Sequence, residues 1–282
     1  MKDCSYEILD LWNKYEGNTE AALAGETSPQ CLYAFSPLRE NLFEWMEFPK
    51  GARILQIGSD YGAYTGLLAG RSKVTAVLDP RDENLEVNRL RHGQRENVVY
   101  IRGDLFLGGR RIYKPREDAG QEDADGILGE PFDAVILCGI WDWYGKERAC
   151  EALLEAASYV KPDGILAAAA ENEAGVRYWM GAQALETAFL EVEFRELFET
   201  LKKERGGDFM MYYPVPDYRY PVSVYSDAYL PQPGDVTNIS ARLDGEGFWF
   251  GSEEEAMTKA CRNGEFTKFA NSFLGVWRKG SL

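Results

Sequence analysis

Gly58 and Gly62 bracket Ser59-Asp60-Tyr61 directly after the apolar run that ends at Gln56-Ile57. A Gly-x-x-x-Gly turn between a strand and a helix lets backbone N–H groups approach a ligand closely, and the helix start favours a negative group there. About twenty residues on, Asp79 closes a second apolar run, where an acid can accept hydrogen bonds from ribose hydroxyls, as in nucleotide-binding α/β folds. Gly103-Asp104-Leu105 end a third run and Cys138-Gly139 a fourth. Asp142, Glu171 and Asp217 are the candidate proton acceptors, with a capping or surface role the alternative for each. His92 is the single histidine, so a multi-histidine metal site is excluded and a hydrolase triad would have to be built on it alone. It falls on a helix after the second strand, remote from the expected pocket, and is read as non-catalytic.

These residues need an alternating frame to hold them. Apolar runs at Arg53–Ile57, 73–78, 98–101, Phe132–Leu137 and 164–170 alternate with helical segments, notably 84–92 and 146–159. Runs apolar throughout and separated by helices predict a parallel sheet covered on both faces, a doubly wound α/β layout. A long helix is expected over 184–203, a sixth strand at 209–213 and a seventh at 273–277. The first fifty residues form an acidic helical extension in which Ser36-Pro37 starts a helix and Leu38, Leu42 and Trp45 share a core-facing stripe. Residues 114–130 read as a solvated excursion. Residues 214–271 form an insertion between the last two strands, opened by a proline-dense string and closed by a helix with Ser252 and Glu255 in a capping box and Gly264 at its end. Residues 51–282 make the main domain.

Net charge is −15, divided as −5 over 1–50, +3 over 51–113, −4 over 114–130 and −9 over 131–282. An acidic excess of this size opposes nucleic-acid partners, which need a basic face. Five cysteines, odd in number and without a C-x-x-C pair, suit reduced thiols, and no metal site is expected. The N-terminus lacks the basic flank and apolar core of a secretion signal, and no run is long enough to span a bilayer. The expected setting is the cytoplasm.

In this order, the glycine turn, Asp79, Gly103-Asp104, Phe132-Asp133-Ala134-Val135 and Lys161-Pro162-Asp163-Gly164 resemble class I S-adenosylmethionine-dependent methyltransferases over roughly residues 33–277. Leu38-Arg39-Glu40-Asn41-Leu42, Glu171-Asn172, Pro214-Val215-Pro216-Asp217-Tyr218 and Tyr225-Ser226-Asp227-Ala228-Tyr229-Leu230-Pro231 look like a bacterial clade found among cell-surface polysaccharide and glycosyltransferase genes. The resemblance implies a Rossmann-like, seven-stranded, mostly parallel sheet with an antiparallel last strand. It implies S-adenosylmethionine as cofactor, held by Gln56, Gly58, Ser59, Asp60, Gly62, Asp79, Gly103, Asp104, Leu105, Cys138 and Gly139. After the fourth strand, Gly139-Ile140-Trp141-Asp142-Trp143-Tyr144 lacks the Asn/Asp-Pro-Pro-aromatic string of amino-methylating nucleic-acid enzymes, which points to an oxygen acceptor or a small molecule such as a glycan precursor. The seven aromatics of 209–229 suit either an acceptor wall or an insertion core with a homodimer contact.

Gln56, Asp60, Leu78 and Glu173 depart from the family pattern. A carboxylate at Asp60 about 4 Å from a ligand carboxylate would cost roughly 4 kcal/mol at an effective dielectric of 20, unless it caps the following helix and points away. The departures support a second reading, a non-catalytic relative acting as a binding or scaffolding partner of a glycosyltransferase. An NAD-dependent oxidoreductase is a third, but Gly58, Asp60 and Gly62 do not form G-x-G-x-x-G.

Overall fold

The computed structural model describes residues 5–113, 124–137, 139–182, 186–237 and 250–281. Three short helices, α1 (Ser5–Lys14), α2 (Thr19–Gly25) and α3 (Pro29–Phe35), lead to a 3-10 turn, Pro37–Glu40, and to α4 (Asn41–Glu44). Then come β1 (Arg53–Ile57), α5 (Thr65–Gly70), β2 (Val74–Asp79), α6 (Asp82–His92), β3 (Val98–Arg102) and β4 (Arg111–Ile112). The centre continues with α7 (Asp125–Leu128), β5 (Phe132–Leu137), α8 (Trp141–Tyr144), α9 (Ala149–Ser158), β6 (Val160–Glu171) and α10 (Val176–Trp179). The chain ends with α11 (Glu191–Arg205), β7 (Asp208–Val215), β8 (Ser223–Ser226), α12 (Glu253–Arg262), α13 (Phe266–Phe269) and β9 (Ser272–Arg278).

The described residues form one nine-stranded sheet in the order β4-β3-β2-β1-β5-β6-β9-β7-β8. Strands β3, β2, β1, β5 and β6 are mutually parallel, and β9 runs antiparallel between β6 and β7. The sheet therefore has nine strands and not seven. The two additions are edge strands, β4 antiparallel on β3 and β8 antiparallel on β7. They are too short and too half-exposed to show an apolar run. Chain order reverses between β1 and β5, which makes their carboxyl ends the switch point where open α/β sheets hold ligands.

Alternation along the central strands divides the core. Leu55, Val135, Leu137 and Leu166 face one side, where Phe194 and Phe198 of α11 lie fully buried; Ile54, Ala134, Ile136 and Ala167 face the other, beneath Leu42, Phe43, Tyr64 and Leu68. A third cluster joins Ile8, Ala22, Cys31 and Phe35 of the N-terminal helices to Tyr61 and to Val87 of α6.

Three local expectations change. The Leu38 and Trp45 side chains are exposed at 45% and 42%, and Arg39 and Phe43 join Leu42 in the interior in their place. The helix expected over 184–203 is α11, beginning at Glu191; residues 183–185 lie outside the described residues. Most of 114–130 also lies outside them, with α7 in the remainder. The Ser252 side chain accepts from the Glu255 amide, one half of the capping box, Ser36 accepts from the Leu38 amide at the start of the 3-10 turn, and Gly264 has the left-handed φ of 72° that a helix end favours.

Gly275 lies in β9 under α11, and a Cβ there would stand 2.2 Å from the Phe198 ring. That ring is fully buried and packed against Phe194 and Phe209, so it has nowhere to go. Gly275→Ala is expected to cost about 1–3 kcal/mol by overpacking, read as a lower midpoint in denaturant; an unchanged midpoint contradicts this packing.

His92 ends α6 with Nε2 2.9 Å from the Gly62 carbonyl, and burial beside Arg91 pushes its pKa down to about 4. A base whose folded pKa lies below its unfolded value of about 6.5 contributes stability above pH 6.5 that is lost as pH falls toward 4. The stability advantage of the wild type over His92→Gln should shrink by about 2–3 kcal/mol between pH 7 and pH 4. Parallel stability-against-pH curves would show that the imidazole is not held neutral.

Candidate functional site

The turn after β1 braces itself internally. Gln56 donates from Nε2 to the Gly58 and Ser59 carbonyls and accepts from the Thr65 hydroxyl. Asn88 of α6 donates to the hydroxyls of Ser59 and Thr65. Gly58, Asp60, Tyr61 and Gly62 all carry positive φ, of 90°, 47°, 55° and 80°. For Asp60 and Tyr61 such angles store about 1–3 kcal/mol each, which persists only where surroundings over-determine it.

Asp60 does not cap a helix. Its carboxylate is buried in an ion pair with Nη2 of Arg39, from the 3-10 turn of the N-terminal segment, while Arg39 Nη1 lies 3.4 Å from its other oxygen. Arg39 also donates to the Tyr33 carbonyl at 2.9 Å and the Tyr64 hydroxyl at 3.0 Å, and its guanidinium lies 3.8 Å from the Tyr33 ring centroid. The Asp60 charge suggested by the sequence is thus neutralised by a residue 21 positions earlier.

Asp79 is fully buried at the end of β2. One oxygen accepts from the Ser59 amide at 2.8 Å and Asn84 at 3.2 Å; the other accepts from the Arg81 amide at 2.9 Å, with the Arg81 guanidinium 3.6 Å away. A carboxylate offers about four acceptor sites, so in this arrangement Asp79 is spent on the glycine turn and leaves little for ribose hydroxyls. Arg81 reaches across the switch point and stacks over Trp143 at 4.2 Å. Asp104 closes its own turn by accepting from the Phe106 amide, and Tyr144 donates its hydroxyl to the other Asp104 oxygen at 3.2 Å. The Leu105 amide donates to the same Tyr144 hydroxyl, and the Gly103 amide donates to the Asp79 carbonyl. Cys138 lies outside the described residues. Gly139 turns with φ 69°, and a Cβ on it would lie 3.7 Å from both the Asp60 carboxyl and the Tyr33 hydroxyl.

Beyond Gly139 the three candidate proton acceptors draw together. Asp142 and Glu171 line one cavity of about 30 Å³ with Tyr33, Trp141, Tyr218 and Arg219. Asp142 stands at its exposed side, accepting from the Thr187 hydroxyl at 2.8 Å. Glu171, buried at the end of β6, accepts from the Tyr178 hydroxyl and pairs with Arg219 at 2.9 Å; burial raises its pKa. Asp217 is behind it, paired with Arg177 at 2.9 Å and Arg219 at 3.2 Å and accepting from the Arg219 and Tyr220 amides. Burial pushes its pKa up to about 6, against the pull of Arg177. Asp217 does not line the cavity and reaches it through Arg219.

Arg39, Arg177 and Arg219 were not singled out by spacing. Arg39 had a signal: it lies in the Leu38-Arg39-Glu40-Asn41-Leu42 string that carries the family resemblance.

Arg39 has the chemistry for a ligand with an anionic end, since its buried Nε has no hydrogen-bond partner among the described residues, whereas the Gly58, Ser59, Gly62 and Ala63 amides of the turn already donate to the Leu78 carbonyl, Asp79, and the Ser59 and Asp60 carbonyls. The crevice is narrow. A cavity of about 30 Å³ is well under the ~300–1,000 Å³ of ordinary ligand sites. No helix among the described residues is long and apolar enough to cross a membrane.

No family model and no curated protein matches the chain. Among solved structures, it is similar to phosphoethanolamine N-methyltransferase 1 of Haemonchus contortus in complex with phosphoethanolamine and S-adenosylhomocysteine. That match has 14% identity and a TM-score of 0.51, covering 99% of this chain and 49% of that one. A chain of the Haloferax volcanii complex containing the Trm112 methyltransferase activator matches at 15% identity and TM-score 0.52, with 97% of each chain covered. N-methyltransferase NodS of Bradyrhizobium japonicum WM9, in complex with S-adenosylhomocysteine, follows at 14% identity and TM-score 0.48, covering 98% of this chain and 99% of that one. At these identities the likeness carries the fold alone, and that fold is the Rossmann-like methyltransferase fold.

Proposed function

We propose that this protein is an S-adenosylmethionine-dependent methyltransferase that acts on a hydroxyl of a small molecule or surface-glycan precursor in the cytoplasm. The observation that carries this reading is the meeting, at the β1–β5 switch point, of the glycine turn and its buried partner Arg39 with a cavity lined by two carboxylates. The cofactor would be held by the 58–62 backbone, Gly139 and Arg39, with the 103–105 turn beside them. Gln56, Thr65, Asn88 and Asp79 brace that turn from behind.

The cofactor supplies a methyl group that is already activated, so the chain's own work is to orient the acceptor, exclude water and remove one proton. Glu171 is the proton acceptor: its burial raises its proton affinity, and Tyr178 and Arg219 fix its orientation. Asp142 orients the acceptor at the cavity mouth, and Asp217 positions Glu171 through Arg219.

A second reading, a non-catalytic relative that partners a glycosyltransferase, is favoured by the filled acceptor sites of Asp79 and by the small size of the cavity. Calorimetric titration with S-adenosylmethionine and S-adenosylhomocysteine separates the two. Saturable heat at micromolar concentrations is expected; no heat and no thermal shift at millimolar ligand would select the partner reading. In methyl-incorporation assays over a panel of sugars and nucleotide sugars, Glu171→Gln should lower transfer about 10²–10⁴-fold while changing S-adenosylhomocysteine affinity by less than about twofold.

A further inference from the structure

Three features of the molecule stand out. An open groove of about 550 Å³ runs between α4 and β8, floored by Trp45 and Tyr212, but nothing in the structure says what fills it. The Glu171–Arg219–Asp217–Arg177 network belongs to the cavity already described. The Arg39–Asp60 pair carries an inference further.

Four observations converge on it. Arg39 is fully buried, and one of its guanidinium hydrogens, on Nε, has no hydrogen-bond partner among the described residues. Asp60 holds a left-handed φ of 47°, an angle that glycine adopts at no steric cost and aspartate less readily. Its carboxylate stands at the carboxyl ends of β1 and β5, 3.7 Å from where a Gly139 Cβ would lie. Gly139 and Tyr33 themselves line the cavity shared with Glu171 and Arg219.

We propose that Asp60 is an internal counter-anion seated in an anion subsite built by Arg39, so that a ligand's carboxylate binds at Arg39 by displacing or outcompeting the Asp60 side chain. The geometry makes Arg39 the recognition group for the anionic end of the ligand, and makes the N-terminal segment part of the site. The identity of that ligand as the amino-acid end of S-adenosylmethionine rests on the methyl-transfer reading; the subsite itself does not.

The test uses two probes on the full chain. Formate, a minimal carboxylate, should raise the melting temperature of Asp60→Gly and of the nearly isosteric Asp60→Asn saturably. It should leave the wild type and the Arg39→Leu/Asp60→Asn double variant unchanged beyond a common salt effect. S-adenosylhomocysteine should bind Asp60→Gly at least tenfold more tightly than wild type, while methylthioadenosine, the same thioether nucleoside without the amino-acid end, should bind both equally; the formate arm isolates the carboxylate. Formate stabilisation without any nucleoside binding upholds the subsite and removes the methyl-transfer reading. Equal response of all four proteins to formate overturns the subsite, as does equal tightening of both nucleosides in Asp60→Gly. If Asp60→Gly fails to fold, Asp60→Asn carries both arms, and an unchanged formate response there overturns the proposal.

Discussion

Burial of the Arg39–Asp60 ion pair is the constraint around which the ligand end of this fold is arranged. Removing two charges from water costs several kcal/mol each, and their attraction repays this only where the remaining donors and acceptors are satisfied. Arg39 comes close to that condition by using the Tyr33 carbonyl and ring, the Tyr64 hydroxyl and both Asp60 oxygens, with Nε left over. Meeting it requires α3 and the following 3-10 turn to lie against the β1 turn, where Asp60 and Tyr61 take left-handed angles. Arg91 completes the join by donating to the carbonyls of Ala34 and Tyr61, where burial pushes its pKa down to about 10. The N-terminal helices are thereby fixed to the centre of the sheet.

A second buried charge cluster follows the same rule at the other wall of the cavity. Glu171 and Asp217 share Arg219, and Arg177 takes the remaining side of Asp217. These pairs tie the ends of β6 and β7 to α10. Asn271 locks the corner, accepting from the Arg177 amide and donating to the Pro216 carbonyl. Tyr33 from the first cluster and Tyr218 from the second face the same small space. The acidic excess of the chain therefore coexists with an interior where each buried acid of the site meets a guanidinium, an amide or a hydroxyl.

The strands that position the site were legible as apolar runs because both faces of β1, β2, β5 and β6 are covered, leaving no polar alternation to confuse the pattern. Strands β4 and β8, two and four residues at the sheet edges, bury too little to leave a signal. The turn from Gly58 to Gly62 was legible because glycine marks positive φ. The role of Asp60 was not, because its carboxylate pairs with a residue 21 positions away in sequence, and pairing at that distance has no periodicity. Asp79 was readable as the end of β2, yet its acceptor capacity depends on where Ser59, Asn84 and Arg81 fold. Leu38 and Trp45 misled for a related reason: a 3-10 turn followed by a single helical turn does not keep the 3.6-residue stripe, and Arg39 took the interior position.

A double-mutant cycle at Arg39 and Asp60, measured by denaturant unfolding at pH 7, tests the central claim most directly. Arg39→Leu alone strands a buried carboxylate and should cost about 3–5 kcal/mol. Arg39→Leu combined with Asp60→Asn should cost no more than that single change, giving a coupling of about 2–3 kcal/mol. Additive losses with a coupling under about 0.5 kcal/mol would contradict it, because the pair would then not be the interaction that holds the N-terminal segment to the switch point.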